Sequence, residues 1–496
     1  MSCVQLSDAQ KKKNIYKNTA SGCSKAMEFS HIMRNTRFDL TRKNVDCIPI
    51  ETWTQFSKLL ASDLNTNDYL GISVAIYGEY IIGGSNCSTS PYTTNGAVYV
   101  YRKNNDGNYG NVLTSSTYTE THKLLASDRN NADYFGSTLV INDDCIVVGA
   151  YNKTNSSNFF CGAAYVYKKN PNGSYGNLSG GIVYTETYKL LASDKITADY
   201  LGISVAIYND YIVIGANEED TTKSNNGAVY VYKKNPNGSY GNLSGGILYT
   251  ETYKLLASDR DNNDYLGNSV SIYNDYIITG ANGENTIPYG DNGAVYVYKK
   301  NLDGSYGNLS GGIVYTETYK LLASDKLTSD RFGNSVSIYS DYVVVGAFFK
   351  DAGTVYIYKK NLDGSYGNLS GGIVYTETYK LLASDGVNLD RFGCSVYIYS
   401  DYIAVGSYLS DTTPNNSNGA VYIYKQKNGF YGNYSTTLNA YTENFKVVAN
   451  DRDDDDNLGI SVSMYENTIV SGAFKSNTTY GVDSGAIYVY KPYFSY

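Results

Sequence analysis

The sequence predicts an all-β fold: a seven-bladed β-propeller of four-stranded antiparallel blades, preceded by a short helical N-terminal arm. Three observations predict it. First, a glycine that follows Leu or Phe recurs at Gly71, Gly136, Gly202, Gly267, Gly333, Gly393 and Gly459. The intervals are 65, 66, 65, 66, 60 and 66 residues, and a period that long belongs to propeller blades or helical arrays. Second, the composition suits strands and turns, with 55 Tyr and 48 Gly but only 7 Pro. Third, the runs within each copy are short, apolar and β-branched, and no helical periodicity competes with them.

The elements follow in chain order. Residues 1–50 form a basic arm outside the repeat, with nine Lys/Arg against four acids. Ser7-Asp8 caps one expected helix running through Lys17, and residues 24–33 form a second. The propeller is expected over 51–496, starting with a lone outer strand, Trp53–Ala61. The third copy illustrates the rest: Ile203–Tyr208, the short turn Asn209-Asp210, Tyr211–Ala216, Ala228–Tyr232 and Tyr249–Ala257. In Ala228–Tyr232 the valines point one way and the tyrosines the other, so both faces need cover. Blades packed between neighbours provide it. The last copy stops after its third strand, near Ala486–Tyr490. Trp53–Ala61 is therefore expected to pair beside that strand and close the ring, which removes the open edges of a linear array.

The recurring strings KLLASD, DYLGISVAIYNDYIVIGA and NGAVYVYKK resemble FG-GAP repeats, the blades of integrin α-like propellers. The resemblance is closer to the sub-type found in many microbial proteins, extends over residues 52–491, and leaves the arm untouched. It implies adhesion, ligand binding or scaffolding, and few enzymes. Integrin-type blades carry a calcium loop between their first and second strands. Here that turn is Asn209-Asp210, Asn274-Asp275 or Ser340-Asp341, too short for a cage of about six to eight oxygens.

Calcium at another position is the one cofactor the residues suggest. Each copy carries two aspartates before its Leu/Phe-Gly: Asp63 and Asp68, Asp128 and Asp133, Asp194 and Asp199, Asp259 and Asp264, Asp325 and Asp330, Asp385 and Asp390, Asp451 and Asp456. Clustered carboxylates suit hard cations. The same aspartates equally suit tight turns, where they accept backbone N–H bonds. The last loop, with Asp453 beside Asp451 and Asp456, is the densest. Partner contact has two candidate sources. One is the tyrosines of the third-to-outer loops, Tyr109, Tyr175, Tyr240, Tyr306, Tyr366 and Tyr431, which alternatively pack over their own blades. The other is the basic run Lys11, Lys12 and Lys13. The connections between second and third strands vary most, and variable loops on a constant scaffold carry specificity.

Composition narrows the function. The net charge is −8, and with the arm at +5 the remaining residues carry −13, so nucleic-acid binding is not expected. Seven scattered cysteines without a CxxC pair read as free thiols. With no apolar signal-like run at the N-terminus, the expected setting is intracellular or virion-associated. No apolar run reaches membrane-spanning length. The two histidines, His31 and His122, lie in the arm and in an outer strand, and no nucleophile elbow or phosphate loop is present. The reading is a non-enzymatic propeller that binds a protein or builds an assembly. The alternatives are a glycan-binding propeller and a hydrolase with axial carboxylates.

Overall fold

The computed structural model describes residues 50–87, 94–154, 160–221 and 223–495. The arm, with Lys11, Lys12 and Lys13, lies outside the described residues. The propeller occupies the unit Glu51–Phe494, and every regular element there is a β-strand.

The third blade shows how one copy folds. Its strands are Ser204–Tyr208, Tyr211–Ala216, Ala228–Lys233 and Tyr253–Leu256. They pair antiparallel, with Val205 opposite Ile214, Val213 opposite Val231, and Val231 opposite Tyr253. Every residue of Tyr211–Ala216 is buried, as is each of Ala228–Tyr232. That double-sided burial follows from blades stacking face to face around the ring. Val213, Val229 and Val231 pack in one cluster with Ile277 and Tyr296 of the fourth blade. Ile212, Ile214 and Tyr230 pack in another with Val147 and Val166 of the second.

The four antiparallel strands expected per blade are present, and the structure adds two more. The run expected as one strand, Tyr249–Ala257, is divided into Leu248–Thr250 and Tyr253–Leu256. The first piece leaves its own blade and pairs parallel with the outer strand of the preceding one, placing Leu248 opposite Lys189. Asn242–Gly245 pairs beside it as a hairpin. The break has a physical cause. The buried carboxylate of Glu251 accepts hydrogen bonds from the Ser193 amide and hydroxyl of the preceding blade, at 2.9 and 2.5 Å. The next amide, Thr252, donates to Val231 O of its own blade at 2.8 Å. The chain thus steps between blades at this glutamate. Six sheets are six-stranded in this way and one is five-stranded.

The ring closes as expected. Ile50–Leu60 lies between Ala486–Ser495 and the donated strand Thr117–Thr119, so both ends of the repeat region share one sheet. Trp53 is buried and meets Tyr402 edge-on at 5.4 Å. Its Nε1 donates to Glu51 at 3.0 Å, and Glu51 also accepts from the Tyr402 hydroxyl at 2.7 Å and pairs with Lys425. The five-stranded sheet is the sixth blade. Each donated hairpin comes from the link between the next copy's third and outer strands. In the seventh copy those strands are Ala486–Ser495 and Ile50–Leu60, which no link joins.

The recurring glycines mark places where backbones touch. Gly227 has φ +77°, bridges Leu266 of the next blade, and a Cβ there would strike the Leu266 backbone. Gly202 has φ +96°, and its Cβ would sit 2.6 Å from Ala163 O.

Candidate binding face

The paired aspartates lie where each outer strand leads into the next blade, and the structure gives their two members different work. The first of each pair joins blades. Asp194 accepts from Lys254 Nζ and from the Tyr230 hydroxyl, at 2.8 and 2.9 Å. The same lysine and tyrosine partners meet Asp63, Asp128, Asp259, Asp325, Asp385 and Asp451. Burial raises the Asp194 pKa, but the Lys254 ammonium and these hydrogen bonds outweigh it and hold the carboxyl below its usual value.

The second aspartate shapes the turn. Asp68, Asp133, Asp199, Asp264, Asp330, Asp390 and Asp456 each accept the backbone amide three residues earlier, at 2.5–2.9 Å. All are buried. In Asp68, Asp133 and Asp199 the other carboxylate oxygen has no hydrogen-bond partner. Burial is the main cause that pushes Asp199 and Asp264 up to about 7, and Asp68 and Asp456 to about 6. Asp453 contributes its amide to the Asp456 turn.

This donor set does not fit calcium. The position a cation would take beside each first aspartate holds a lysine ammonium. Among the described residues, no three acidic, histidine or cysteine side chains come together in a metal-holding group. The turn reading accounts for the second aspartates, and the pairing of the first ones had no signal within a single copy. The third residue after each Gly-Ala or Gly-Ser also escaped the sequence reading. It is Lys153 and Lys350, bound to Asp133 and Asp330 at 2.8 and 3.0 Å, but Glu219 and Glu284, bound to Lys254 and Lys320 at 2.6 and 2.5 Å. Otherwise uniform blades thus differ in local charge.

The same loops present a second feature. The residue just before each Leu/Phe-Gly has positive φ: Tyr69, Tyr134, Tyr200, Tyr265, Arg331, Arg391 and Asn457, at 51–63°. Bulky side chains in that region cost about 1–3 kcal/mol each. The neighbouring blade supports the geometry, since the amides of Tyr200 and Tyr265 donate to Phe160 O and Asn225 O. The four tyrosines and two arginines remain half-exposed, whereas Asn457 is buried. Tyr134 stacks on Tyr151 at 5.5 Å, Tyr69 meets Phe474 at 5.6 Å, and the Arg391 guanidinium lies 4.0 Å from the Phe349 ring centroid. Strand alternation puts the second-to-third connections on this same face; residues 88–93 and 155–159 of these loops lie outside the described residues.

The tyrosines of the opposite face do not offer rings to a partner. Tyr109, Tyr175, Tyr240, Tyr306, Tyr366 and Tyr431 are all at least 97% buried, being 0–3% exposed. Tyr306 packs edge-on against Tyr211 of the preceding blade and donates its hydroxyl to Asn274 O at 2.8 Å. Tyr366 and Tyr431 repeat that arrangement. They pack between blades, so the rings are neither offered to a partner nor confined to their own blade, as the two readings of these residues had it. His122 is buried between Tyr175 and Tyr184, and burial pushes its pKa down to about 4. No helix among the described residues is long and apolar enough to cross a membrane.

The family comparison agrees with this geometry. The model of the FG-GAP repeat matches residues 53–101, 118–167, 184–232, 249–298, 315–358, 375–424 and 441–490. No curated protein matches the chain. Among solved structures, the WD40 domain of Toxoplasma gondii coronin is similar at a TM-score of 0.46 and 8% identity, over 90% of this chain and 87% of that one. With seven matched repeats spanning well over half its length, each one running from the outer strand of one blade through the three inner strands of the next, the chain belongs to the FG-GAP repeat family.

Proposed function

We propose that this protein is a non-enzymatic scaffold that binds a protein partner through the face carrying Tyr69, Tyr134, Tyr200, Tyr265, Arg331 and Arg391. The observation that carries the reading is the strained backbone at these positions. Asparagine or glycine would relieve it at little cost, as Asn457 does, yet six copies place Tyr or Arg there. Tyr and Arg are the side chains that concentrate binding energy at protein interfaces. The calcium suggested by the acidic loops forms no part of the proposal.

The test uses the full chain in two forms, wild type and Tyr134→Ser/Tyr200→Ser. A partner captured by the wild type is purified and its affinity measured for both. An affinity loss of about tenfold or more, with an unchanged melting temperature, supports the face. A partner that binds both forms equally overturns it. A second reading, glycan binding, draws on the stacked Tyr134–Tyr151 pair; binding of a neutral oligosaccharide abolished by the same substitutions would replace the protein partner with a sugar.

A further inference from the structure

A cavity of about 780 Å³ runs along the propeller axis. At the face opposite the acidic loops its mouth is lined by Tyr77, Tyr208, Tyr273, Tyr339, Tyr399 and Tyr465, the last residues of six first strands. Their rings touch in one arc. Successive centroids from Tyr208 through Tyr273, Tyr339, Tyr399 and Tyr465 to Tyr77 lie 4.8–5.4 Å apart. All six are half-buried.

The arc is open at the second blade. There Asn142 replaces the tyrosine, and Cys145 replaces the tyrosine that starts the second strand in five other copies. The opening holds three carboxylates that line the cavity, Asp143, Asp144 and Asp210. One ammonium, Lys234, lies among them and is paired with Asp144. Asp143 accepts the Tyr77 hydroxyl at 3.1 Å, and the Tyr208 hydroxyl donates to Asn274 Oδ1 at 2.7 Å. A second cavity of about 480 Å³, lined by Lys168, Lys169 and Tyr240, shares Asp143, Asp144 and Lys234 with the first. The two cavities therefore adjoin at the second blade.

We infer that this opening seats the cationic side chain of a Lys- or Arg-bearing extended segment of a protein partner, laid along the second blade with its charge at the tyrosine arc. Aromatic faces attract cations by about 0.5–2 kcal/mol each, more as water is excluded. In the axial cavity three carboxylates face one ammonium and supply the counter-charge, while Lys168 and Lys169 line only the outer cavity. A neutral sugar fits less well: it would leave those carboxylates uncompensated, and the phenols flanking the opening already donate elsewhere. The inference rests on the protein-binding reading and adds a second site on the other face.

The probe is a fluorescein-labelled Gly-Arg-Gly-Arg-Gly-Arg peptide, read by anisotropy with the full chain at about 150 mM salt. Its control has citrulline at each arginine, which swaps guanidinium for a neutral urea. The arginine peptide is expected to bind about tenfold or more tightly than the control. Asp143→Asn/Asp210→Asn is expected to weaken it about tenfold, and Asp341→Asn/Asp401→Asn, which removes equal charge from turns outside the cavity, to change it within about twofold. Equal losses in both double variants would reveal diffuse attraction and overturn the site, as would absence of binding or displacement by a neutral oligosaccharide. Melting curves of all variants report folding. A partner complex on the Tyr134–Tyr200 face that persists while the peptide fails to bind would sink this inference alone.

Discussion

Lys254 illustrates how a repeated residue acquires a local value. It is buried and bound to the buried Glu219 and the half-exposed Asp194. Its counterpart Lys446 pairs with a single carboxylate among the described residues, the half-exposed Asp385. Lys254→Met strands a buried glutamate and should cost about 3–5 kcal/mol. Lys446→Met should cost about 1 kcal/mol or less. Denaturant midpoints compare them, and equal effects would refute the assignment. The second aspartates predict a pH dependence. Their pKa values are raised to about 6–7 at Asp68, Asp199, Asp264 and Asp456 from the ordinary aspartate value of 3.8. Between roughly pH 4 and 7 the folded state therefore binds more protons than the unfolded one, so their contribution to stability falls as pH rises through that window. The lowered first aspartates, such as Asp194 and Asp259, act oppositely, and their contribution is lost as pH falls through the range below 3.8. Asp199→Asn should flatten the upper slope and gain roughly 1–3 kcal/mol at about pH 8. A steeper slope in urea titrations across pH would contradict this account.

At the scale of strands, the sequence was informative wherever one copy sufficed. The four antiparallel strands of a blade and the turn reading of Asp199, one of two, were legible from a single repeat, and the closing strand beside Ala486–Ser495 from the two ends of the array. What escaped was held between copies. Nothing within one repeat says that Asp194 will meet Lys254 and Tyr230 of the next, because the ring, not the chain, makes them neighbours. The donated hairpins escaped because Asn242–Gly245 is a Gly-ended edge strand whose four residues are all exposed, and such residues read as a loop. The tyrosine arc escaped because Tyr208 and its equivalents look like ordinary strand residues; only the departure at Asn142 was available as a sign. The closing strand makes its own prediction. Trp53 is buried in the cluster that joins the first, sixth and seventh blades. Trp53→Ala should destabilise the propeller by about 3–5 kcal/mol. Leu178→Ser, on an exposed donated strand, should cost within about 0.5 kcal/mol. Matching midpoints for the two would show that the closing strand contributes no more than the rim.

At the scale of the whole molecule, stability comes from a chain of like seams rather than from one core. Seven hydroxyl donors at equivalent positions, from Ser73 to Ser461, bind the glycine carbonyl of the next blade at 2.7–2.8 Å, including Ser461 to Gly71 across the closure. With lysine already beside each first aspartate, calcium chelation is expected to leave the melting temperature unchanged. A fall of about 4 °C or more in excess EGTA would restore the metal reading of Asp451, Asp453 and Asp456.

The glutamate latches reach the closing seam in altered form. Six are carboxylates gripping a serine, as Glu251 grips Ser193; at the closure the Asn450 amide donates instead to Gln55, at 2.8 Å. That contact joins residues 395 apart in sequence. During synthesis it is among the last to form, because the seventh blade must leave the ribosome before its partner strand, made first, has anything to pair with. Until then the earliest strand waits with an uncovered edge. Nascent chains of this protein therefore pass through a long open-ring stage, and their exposure to proteases and to one another is set by elongation time rather than by the stability of the finished ring.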